Sequence, residues 1–467
     1  MADEHNQLDS QFAVVGAFWP PDNEDSVLTG TLTVDDKDVT FATAPKYKRL
    51  SPGTSLPFSL GNENLGEKVT VFQGFTQDGL CTLCDLMVVE VPGLIHHGLG
   101  QQVLSVTYRA SMSVTGLHLG GSADKCLTSA RFSFSGLSDW LPKATSEAWD
   151  AEYITLKKPL KDREIVDFSV RENRVRVTIK VFSQLMSNFI DGARISKSVA
   201  YVDVESPTAE SLLWFYEIGN RLENLFSLLT GASLAWETFF VYRGDENGHV
   251  TAKRRNRVKA FDPLECVRCS ADQLANAVAI WLSAPPSFRS VESLALGVVR
   301  KGKLFLETEF LSLAQALEGV HRVTAHGSVV DRGSFRQVRK KIVSLLKQEN
   351  VDPFLTRRIC DSLSHANGLT FAGRLSELCK GMSTPLLKRV AIDPEEFVSS
   401  VVAVRNFYTH AGSPMRSSQS KNPLSTKDLF FLSQKMGCLL RCTLLLYLGI
   451  EEKQFSDVLV HQTTRWK

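Results

Sequence analysis

Three side chains close to the C-terminus have types and a spacing that suit RNA cleavage without a metal. Arg405 and Asn406 are adjacent, and His410 follows one helical turn later. A histidine can move a proton near neutral pH, first from a ribose 2′-hydroxyl and then to the leaving 5′-oxygen. An arginine stays charged and can hold the phosphate through two hydrogen bonds as negative charge accumulates. Asn406 can orient the imidazole or contact the phosphate.

A helix over residues 393–410 is predicted to carry these side chains. Asp393 suits the N-cap position and Pro394 suits the first turn. Asn406 and His410 are four residues apart and therefore share a face of this helix. Four apolar residues recur on one side and give the helix a stripe to bury: Phe397, Val401, Val404 and Tyr408.

Several segments resemble a known family. Arg405-Asn-Phe-Tyr-Thr-His410 resembles the R-N-x-x-x-H signature of HEPN ribonucleases. Phe310-Leu-Ser-Leu-Ala-Gln-Ala-Leu-Glu-Gly-Val-His-Arg322 and Leu369-Thr-Phe-Ala-Gly-Arg-Leu-Ser-Glu-Leu378 are similar to the HEPN domain of ApeA-type anti-phage proteins. Gln73-Gly-Phe-Thr-Gln-Asp-Gly79 resembles the β-rich region that those proteins carry ahead of it. The resemblance covers most of the chain.

The resemblance implies a helical bundle that forms a homodimer or a higher homo-oligomer, in which two signature helices build one composite site. It also implies abortive defence, in which the β-rich region senses a phage-derived trigger and the nuclease then cleaves cellular RNA, with tRNA as one candidate. Glu318 lies in the first matching segment and is our candidate for a supporting polar residue. Arg405 would stabilise the phosphate, His410 would transfer protons and Asn406 would position the imidazole or the phosphate.

A second interpretation of the same segments is a non-catalytic HEPN scaffold. Such a protein would dimerise through its helices and bind a partner through the β-rich region. Arg405 would then be a surface arginine and His410 a structural histidine. The two interpretations differ in the effect of His410→Ala, which removes RNA cleavage from an enzyme and changes nothing in a scaffold.

Four of the nine cysteines form two C-x-x-C pairs, Cys81 with Cys84 and Cys266 with Cys269. Together they can supply four thiolates to one structural zinc ion. However, the first pair lies in a predicted strand, where side chains three apart point to opposite faces. Packing is therefore the favoured interpretation of Cys81 and Cys84, and we expect no cofactor.

Two runs of basic residues are candidate RNA contacts. One run is predicted to lie in a loop and comprises Lys253, Arg254, Arg255, Arg257 and Lys259. The other covers residues 336–341 on a predicted amphipathic helix. Each phosphate contact would steepen the salt dependence of RNA binding. The favoured interpretations without RNA are a solvated hairpin loop for the first run and the exposed face of a helix for the second.

The composition is that of a soluble protein. The 467 residues include 53 basic and 51 acidic side chains, so any nucleic-acid surface must be a local patch. No apolar stretch reaches the roughly 18 residues of a membrane helix, and the best one, residues 438–450, contains Arg441. We see no secretory signal, phosphate-binding loop or zinc-hydrolase motif. We expect reduced cysteines and a cytoplasmic location without membrane contact.

The fold is predicted to be α+β in three regions. A β-rich sensor region covers 1–205 and suits a sandwich or two smaller β units. A mixed helical connector covers 206–300, and an all-helical HEPN ribonuclease domain covers 301–467. The connector is predicted to begin with a helix from Ser206 to Gly231 and a strand pair, residues 239–243 with a partner after Val258. The helices predicted next cover 271–283, 305–325, 332–348, 352–363, 371–380, 393–410 and 426–448.

Overall fold

The computed structural model describes residues 12–35, 38–44, 46–49, 70–90, 93–96, 101–141, 163–170, 175–187, 194–252, 262–299, 304–325, 327–409 and 424–464. The chain forms two compact units. Unit 1 comprises Met1–Glu223 and Leu234–Lys259, and unit 2 comprises Asn224–Ser233 and Ala260–Lys467. The two units are groups of residues that have more contacts with each other than with the rest of the chain. The predicted division into three regions at residues 205 and 300 stays a prediction.

Unit 1 is built almost wholly of strands, as the sequence predicts. Its described residues form β1 (Phe12–Trp19), β2 (Leu28–Val34), β3 (Val39–Thr43), β4 (Lys46–Arg49), β5 (Val71–Thr76), β6 (Gly79–Cys84), β7 (Met87–Glu90), β8 (Gly93–His96), β9 (Gln101–Leu104), β10 (Thr107–Ala110), β11 (Met112–Thr115), β12 (Lys125–Phe134), α1 (Leu137–Trp140), β13 (Arg163–Val170), β14 (Val175–Ser187), β15 (Arg194–Ser211), α2 (Leu212–Thr230), β16 (Trp236–Arg243) and β17 (Glu246–Ala252). The last turns of α2 belong to unit 2.

Hydrogen bonds link fourteen of the described strands into one antiparallel sheet rather than into two separate β units. The order is β13-β14-β15-β12-β16-β17-β11-β6-β5-β1-β2-β3-β10-β7, and β4, β9 and β8 form a small second sheet. In β2 and β3 the side chains alternate between a buried and a more open face, because successive residues of a strand point to opposite sides, whereas the last four residues of β6 are all buried. One part of the core is aromatic and contains Phe18, Phe41, Phe72 and Tyr108.

The predicted start of the first long helix at Ser206 is wrong. Residues up to Ser211 continue β15, and α2 begins at Leu212, where the backbone N–H of Trp214 donates to Ser211 Oγ at 3.2 Å. The pairing of β15 with β12 is irregular between Glu205 and Glu210. A strand accepts proline at such a bulge, since no ladder hydrogen bond is lost there. Pro207 is therefore a bulge residue and not a helix start.

The predicted partner of the strand at 239–243 is also wrong. β16 pairs with β17, which follows immediately after the turn Gly244-Asp245, and Arg243 is opposite Glu246. Gly244 has a φ of +61°, as the first central residue of a two-residue hairpin turn with glycine requires. The residues after Val258 lie outside the described part of the chain as far as 261.

Unit 2 is helical. After one 3₁₀ turn (Pro263–Glu265), its described residues form α3 (Ala271–Ser283), α4 (Pro286–Val299), α5 (Leu306–Thr324), α6 (Arg332–Gln348), α7 (Pro353–His365), α8 (Phe371–Lys380), α9 (Thr384–Arg389), α10 (Pro394–Thr409), α11 (Thr426–Tyr447) and α12 (Glu452–Thr464). All seven helices predicted after residue 270 are confirmed, with ends that differ by two residues or fewer. The sequence did not predict α4, α9 or α12. The β-rich region followed by a helical region confirms the predicted fold class.

The helix α11 buries twelve of its side chains. It is long and apolar enough to cross a membrane by length and composition, but 67% of its most apolar window is buried inside the protein. A helix that is apolar on nearly all sides suits a buried core position. Its Arg441 is also buried, and the guanidinium donates to the carbonyls of Leu228, Leu229 and Glu265 at 3.0–3.2 Å. We therefore interpret α11 as a core helix.

Candidate active site

Arg405 and Asn406 lie near the C-terminal end of α10. The backbone N–H of Glu396 donates to Asp393 Oδ1 at 3.0 Å, which confirms the predicted N-cap. Three residues of the predicted apolar stripe are buried, namely Phe397, Val401 and Val404. The fourth, Tyr408, places its ring 6.4 Å from the ring of Phe310 on α5. This packing leaves the side chains of Arg405 and Asn406 partly exposed.

Two neighbouring helices hold the guanidinium of Arg405. Its central carbon lies 5.0 Å from the centre of the Phe371 ring, at the first residue of α8. Its Nη2 lies 3.9 Å from Glu318 Oε2 on α5. The other oxygen of Glu318 accepts a hydrogen bond of 2.6 Å from Arg322, one turn further along α5. Glu318 therefore stands between two cations, where its negative charge offsets their mutual repulsion.

This arrangement suits the binding of an anion by Arg405. The aromatic face and the carboxylate limit the positions that the guanidinium can take. At 3.9 Å the contact with Glu318 is an ion pair beyond hydrogen-bond range, so the N–H groups of Arg405 stay able to donate elsewhere. The side chain is 36% exposed, against 21% for Glu318. A phosphate can thus reach the guanidinium from solvent.

A buried polar network joins α5 to α8 beside this group. His321 is fully buried, with Nε2 2.7 Å from Glu377 Oε2 and Nδ1 3.1 Å from Arg374 Nη1. A guanidinium can only donate, so Nδ1 of the imidazole accepts, and Nε2 carries the proton that it donates to Glu377. His321 follows Glu318 by one turn on α5, and Arg374 follows Phe371 by one turn on α8. The network therefore ties together the two helices that hold Arg405.

The structure does not test the position of His410, the third residue of the predicted trio. His410 lies outside the described residues, which end at Thr409 in this region. The hydroxyl of Thr409 donates to the carbonyl of Arg405 at 2.8 Å, so the helix is intact up to that point. The Asn406 side chain has no hydrogen bond to any residue that the structure describes. The meeting of Arg405 with His410 stays a prediction.

Sequence reasoning selected Glu318 but missed five other residues of this group: Arg322, Phe371, His321, Arg374 and Glu377. Arg322 carries a local signal, because a Glu and an Arg four apart on a helix face each other. No local sequence signal marks Phe371, His321 or Arg374, since the residue that each of them contacts lies on another helix. Only the packing of α5, α8 and α10 brings them together.

The two C-x-x-C pairs are buried to different degrees. Cys81 and Cys84 are both fully buried in β6, whereas Cys269 is only half-buried. Burial raises the pKa of Cys81 and of Cys84 to about 12, and that of Cys266 and of Cys269 to about 11. Burial therefore keeps these thiols neutral and unreactive near neutral pH. The described residues contain no group of three or more His, Cys, Asp or Glu side chains that could hold a metal ion.

The buried thiols of β6 predict an alkaline loss of stability. A pKa raised from 9.0 to about 12 favours the neutral thiol in the folded state. The contribution is therefore complete below pH 9.0 and falls as pH rises from 9.0 towards about 12, by about 1.4 kcal/mol per pH unit for each thiol. Urea unfolding of wild-type protein and Cys81→Ala/Cys84→Ala will check this. The stability difference between the two should shrink by roughly 2–3 kcal/mol from about pH 8 to about pH 10. A constant difference would show that the thiols titrate normally.

The two basic runs differ in what the structure says of them. Residues 253–260 are outside the described part, so contact of Lys253, Arg254, Arg255, Arg257 and Lys259 with RNA stays a prediction. Residues 336–341 lie on α6, where their cationic side chains are exposed.

Two family models match the chain. The model described as ApeA N-terminal domain 1 matches residues 13–266, which is more than half of the chain. The model described as Apea-like HEPN matches residues 311–454, which contain Glu318, Phe371 and Arg405. Comparison with curated proteins and with solved structures returns no significant match. HEPN domains are generally ribonucleases and commonly dimerise. The chain therefore belongs to the ApeA family, as an ApeA-like anti-phage protein with a C-terminal HEPN domain.

Proposed function

We propose that this protein is a metal-independent endoribonuclease that cleaves cellular RNA in abortive anti-phage defence. The observation that carries the proposal is the position of Arg405. Its guanidinium is held by the Phe371 ring and Glu318, and it begins the R-N-x-x-x-H segment inside the HEPN match. A guanidinium that is charged, oriented and open to solvent suits the stabilisation of a phosphate in its transition state.

The reaction follows from the chemistry of the two principal residues. His410 takes the proton of a ribose 2′-hydroxyl, whose oxygen attacks the adjacent phosphorus. The 5′-oxygen of the next nucleotide leaves and receives a proton from a histidine. The products are a 2′,3′-cyclic phosphate and a 5′-hydroxyl, and the electrons balance without a metal or an oxidant. Arg405 stabilises the negative charge on the phosphate, and Asn406 positions the imidazole or the phosphate.

The assembly and the trigger belong to the same proposal. Two HEPN domains would pair so that the α10 helices of both copies build a composite site. The β-rich region would sense a phage-derived component in the cytoplasm and release the nuclease from an inactive resting state. Such control fits an RNA-cleaving enzyme, because unregulated cleavage of its own RNA would harm the cell. Transfer RNA is one candidate substrate.

The decisive test is RNA cleavage by purified wild-type protein and His410→Ala, with EDTA present and mixed tRNA and mRNA as substrate. We expect cleavage by wild type alone, with 2′,3′-cyclic phosphate ends, because the variant lacks the group that transfers protons. Equal cleavage by both proteins would contradict the assigned histidine. If neither cleaves, toxicity on overexpression decides: a locked nuclease is toxic only with His410 present, whereas a scaffold shows no such difference.

A further inference from the structure

The helices α6 and α7 form a hairpin that is not packed into the rest of unit 2. Neither helix contains a buried side chain among its described residues. The hairpin is closed at its base by a bridge between Ser328 and Gly368. Asn367 adds two hydrogen bonds to the backbone of Val330, of 2.9 and 3.0 Å. The side chains of α6 are therefore available to a large ligand.

All charged residues of α6 are basic. The helix contains six basic residues and no acidic one, and all six are exposed. None forms an ion pair within the part of the chain that the structure describes. At 100° per residue, five of them fall within a sector of about 100° and span about 22 Å along the axis. These five residues, the basic face of α6, are Arg332, Arg336, Arg339, Lys340 and Lys347.

The hairpin begins and ends beside the candidate site. It is inserted between α5, which carries Glu318, and α8, which starts with Phe371. At its base the N–H of Leu369 donates to the carbonyl of Gly327 at 2.9 Å. A Cβ added at Gly327 would lie 2.5 Å from Arg374 Nη1, so the base touches the network next to Arg405. The helix α6 therefore begins within a few residues of the network beside Arg405, the residue proposed to hold the scissile phosphate.

We propose that the basic face of α6 binds the phosphate backbone of the substrate RNA, an inference that rests on the proposed nuclease function. Unpaired cations on one side of a helix complement a polyanion. The hairpin also exposes apolar side chains, among them Val338 at 51% and Phe354 at 72%. A second copy could cover these apolar side chains, but two basic faces repel each other, so the charge favours RNA and not a second copy as the occupant of the basic face.

The test measures RNA affinity against salt concentration for the full-length chain with His410→Ala, which prevents cleavage during the titration. Arg336→Gln/Lys340→Gln removes two charges from the basic face and keeps good helix formers. The matched control is Lys380→Gln/Lys388→Gln, which removes two exposed charges from α8 and α9. Anisotropy of a fluorescein-labelled single-stranded RNA reports binding. We expect the slope of log K against log salt to fall by about 1.4 and the affinity at physiological salt to fall roughly tenfold, with the control unchanged.

Each other outcome overturns the inference. It fails if the two double variants show the same slope, or if the His410→Ala chain does not bind RNA. It also fails if Arg336→Gln/Lys340→Gln loses RNA only because its oligomeric state changes in light scattering, which would assign the face to a contact between copies. Cleavage by the wild-type chain is scored separately. A protein that binds RNA through α6 and never cleaves it contradicts the nuclease and leaves the binding surface standing.

Discussion

Arg405→Lys is expected to slow RNA cleavage by a factor of about 10²–10³, the loss typical when one preorganised group is removed from a developing negative charge. Lysine keeps the positive charge, but its ammonium is a compact point charge that cannot donate to a phosphate in a planar fork. It also cannot reproduce the flat contact with Phe371 or the ion pair with Glu318 in the same geometry. The measurement is the initial rate of cleavage at saturating RNA.

A matched control separates this effect from a general loss of arginine. Arg389 lies on α9 and donates to Asp457 at 2.6 Å, with its side chain 47% exposed. Arg389→Lys should cleave RNA at the wild-type rate. Both variants should unfold at the wild-type temperature, because neither side chain is buried. If Arg405→Lys also cleaves within a factor of about two of wild type, the guanidinium does not stabilise the phosphate.

Arg441→Leu is expected to lower the free energy of unfolding of unit 2 by about 3 kcal/mol. The guanidinium satisfies three carbonyls, those of Leu228, Leu229 and Glu265. The carbonyl of Leu229 also accepts from the backbone N–H of Val267 at 2.9 Å, so the loss of the guanidinium falls mainly on the carbonyls of Leu228 and Glu265. A buried carbonyl that loses its donor costs about 1–3 kcal/mol. Burial lowers the pKa of Arg441, which shows that the charge is held at some cost of desolvation. Leucine regains that cost in part, so the loss stays near the lower end of the range for buried charges.

Urea unfolding measures this loss directly. The control is Arg389→Leu, which breaks an exposed ion pair and should cost less than about 1 kcal/mol. Arg441→Leu should shift the midpoint to clearly lower urea than the control does. Equal midpoints for the two variants would mean that the carbonyls of Leu228 and Glu265 find other donors and that Arg441 does not hold this part of the core.

Local signals in the sequence were enough for most of unit 2. Asp393 acts as the N-cap of α10 through its own side chain, and capping depends only on residues within one turn. Apolar periodicity adds the buried stripe of α10, which contains Phe397, Val401 and Val404. These features need no distant partner, which is why seven helices were predicted to within two residues at each end.

One error came where a distant strand decided the outcome. Ser206 and Pro207 have the local pattern of a helix start, yet β12 pairs with this stretch and draws it into β15. Hydrogen bonds to another strand outweigh a local capping preference, since propensity is a weak determinant beside tertiary contacts. The strand after Gly244 was missed for the opposite reason. The two-residue turn with Gly244 is a local signal for it, whereas the prediction placed the partner strand after Val258.

For the candidate site, the sequence by itself determined the residue types, the helix that carries Arg405 and Asn406, and the candidate Glu318. It contained the R-N-x-x-x-H segment that the HEPN match now includes. Only the tertiary structure decided that Phe371 of α8 and Glu318 of α5 approach Arg405, and that His321 and Arg374 join these helices. The physical reason is that spacing along one helix specifies a face, whereas a site requires several helices, and their arrangement depends on how the whole core packs.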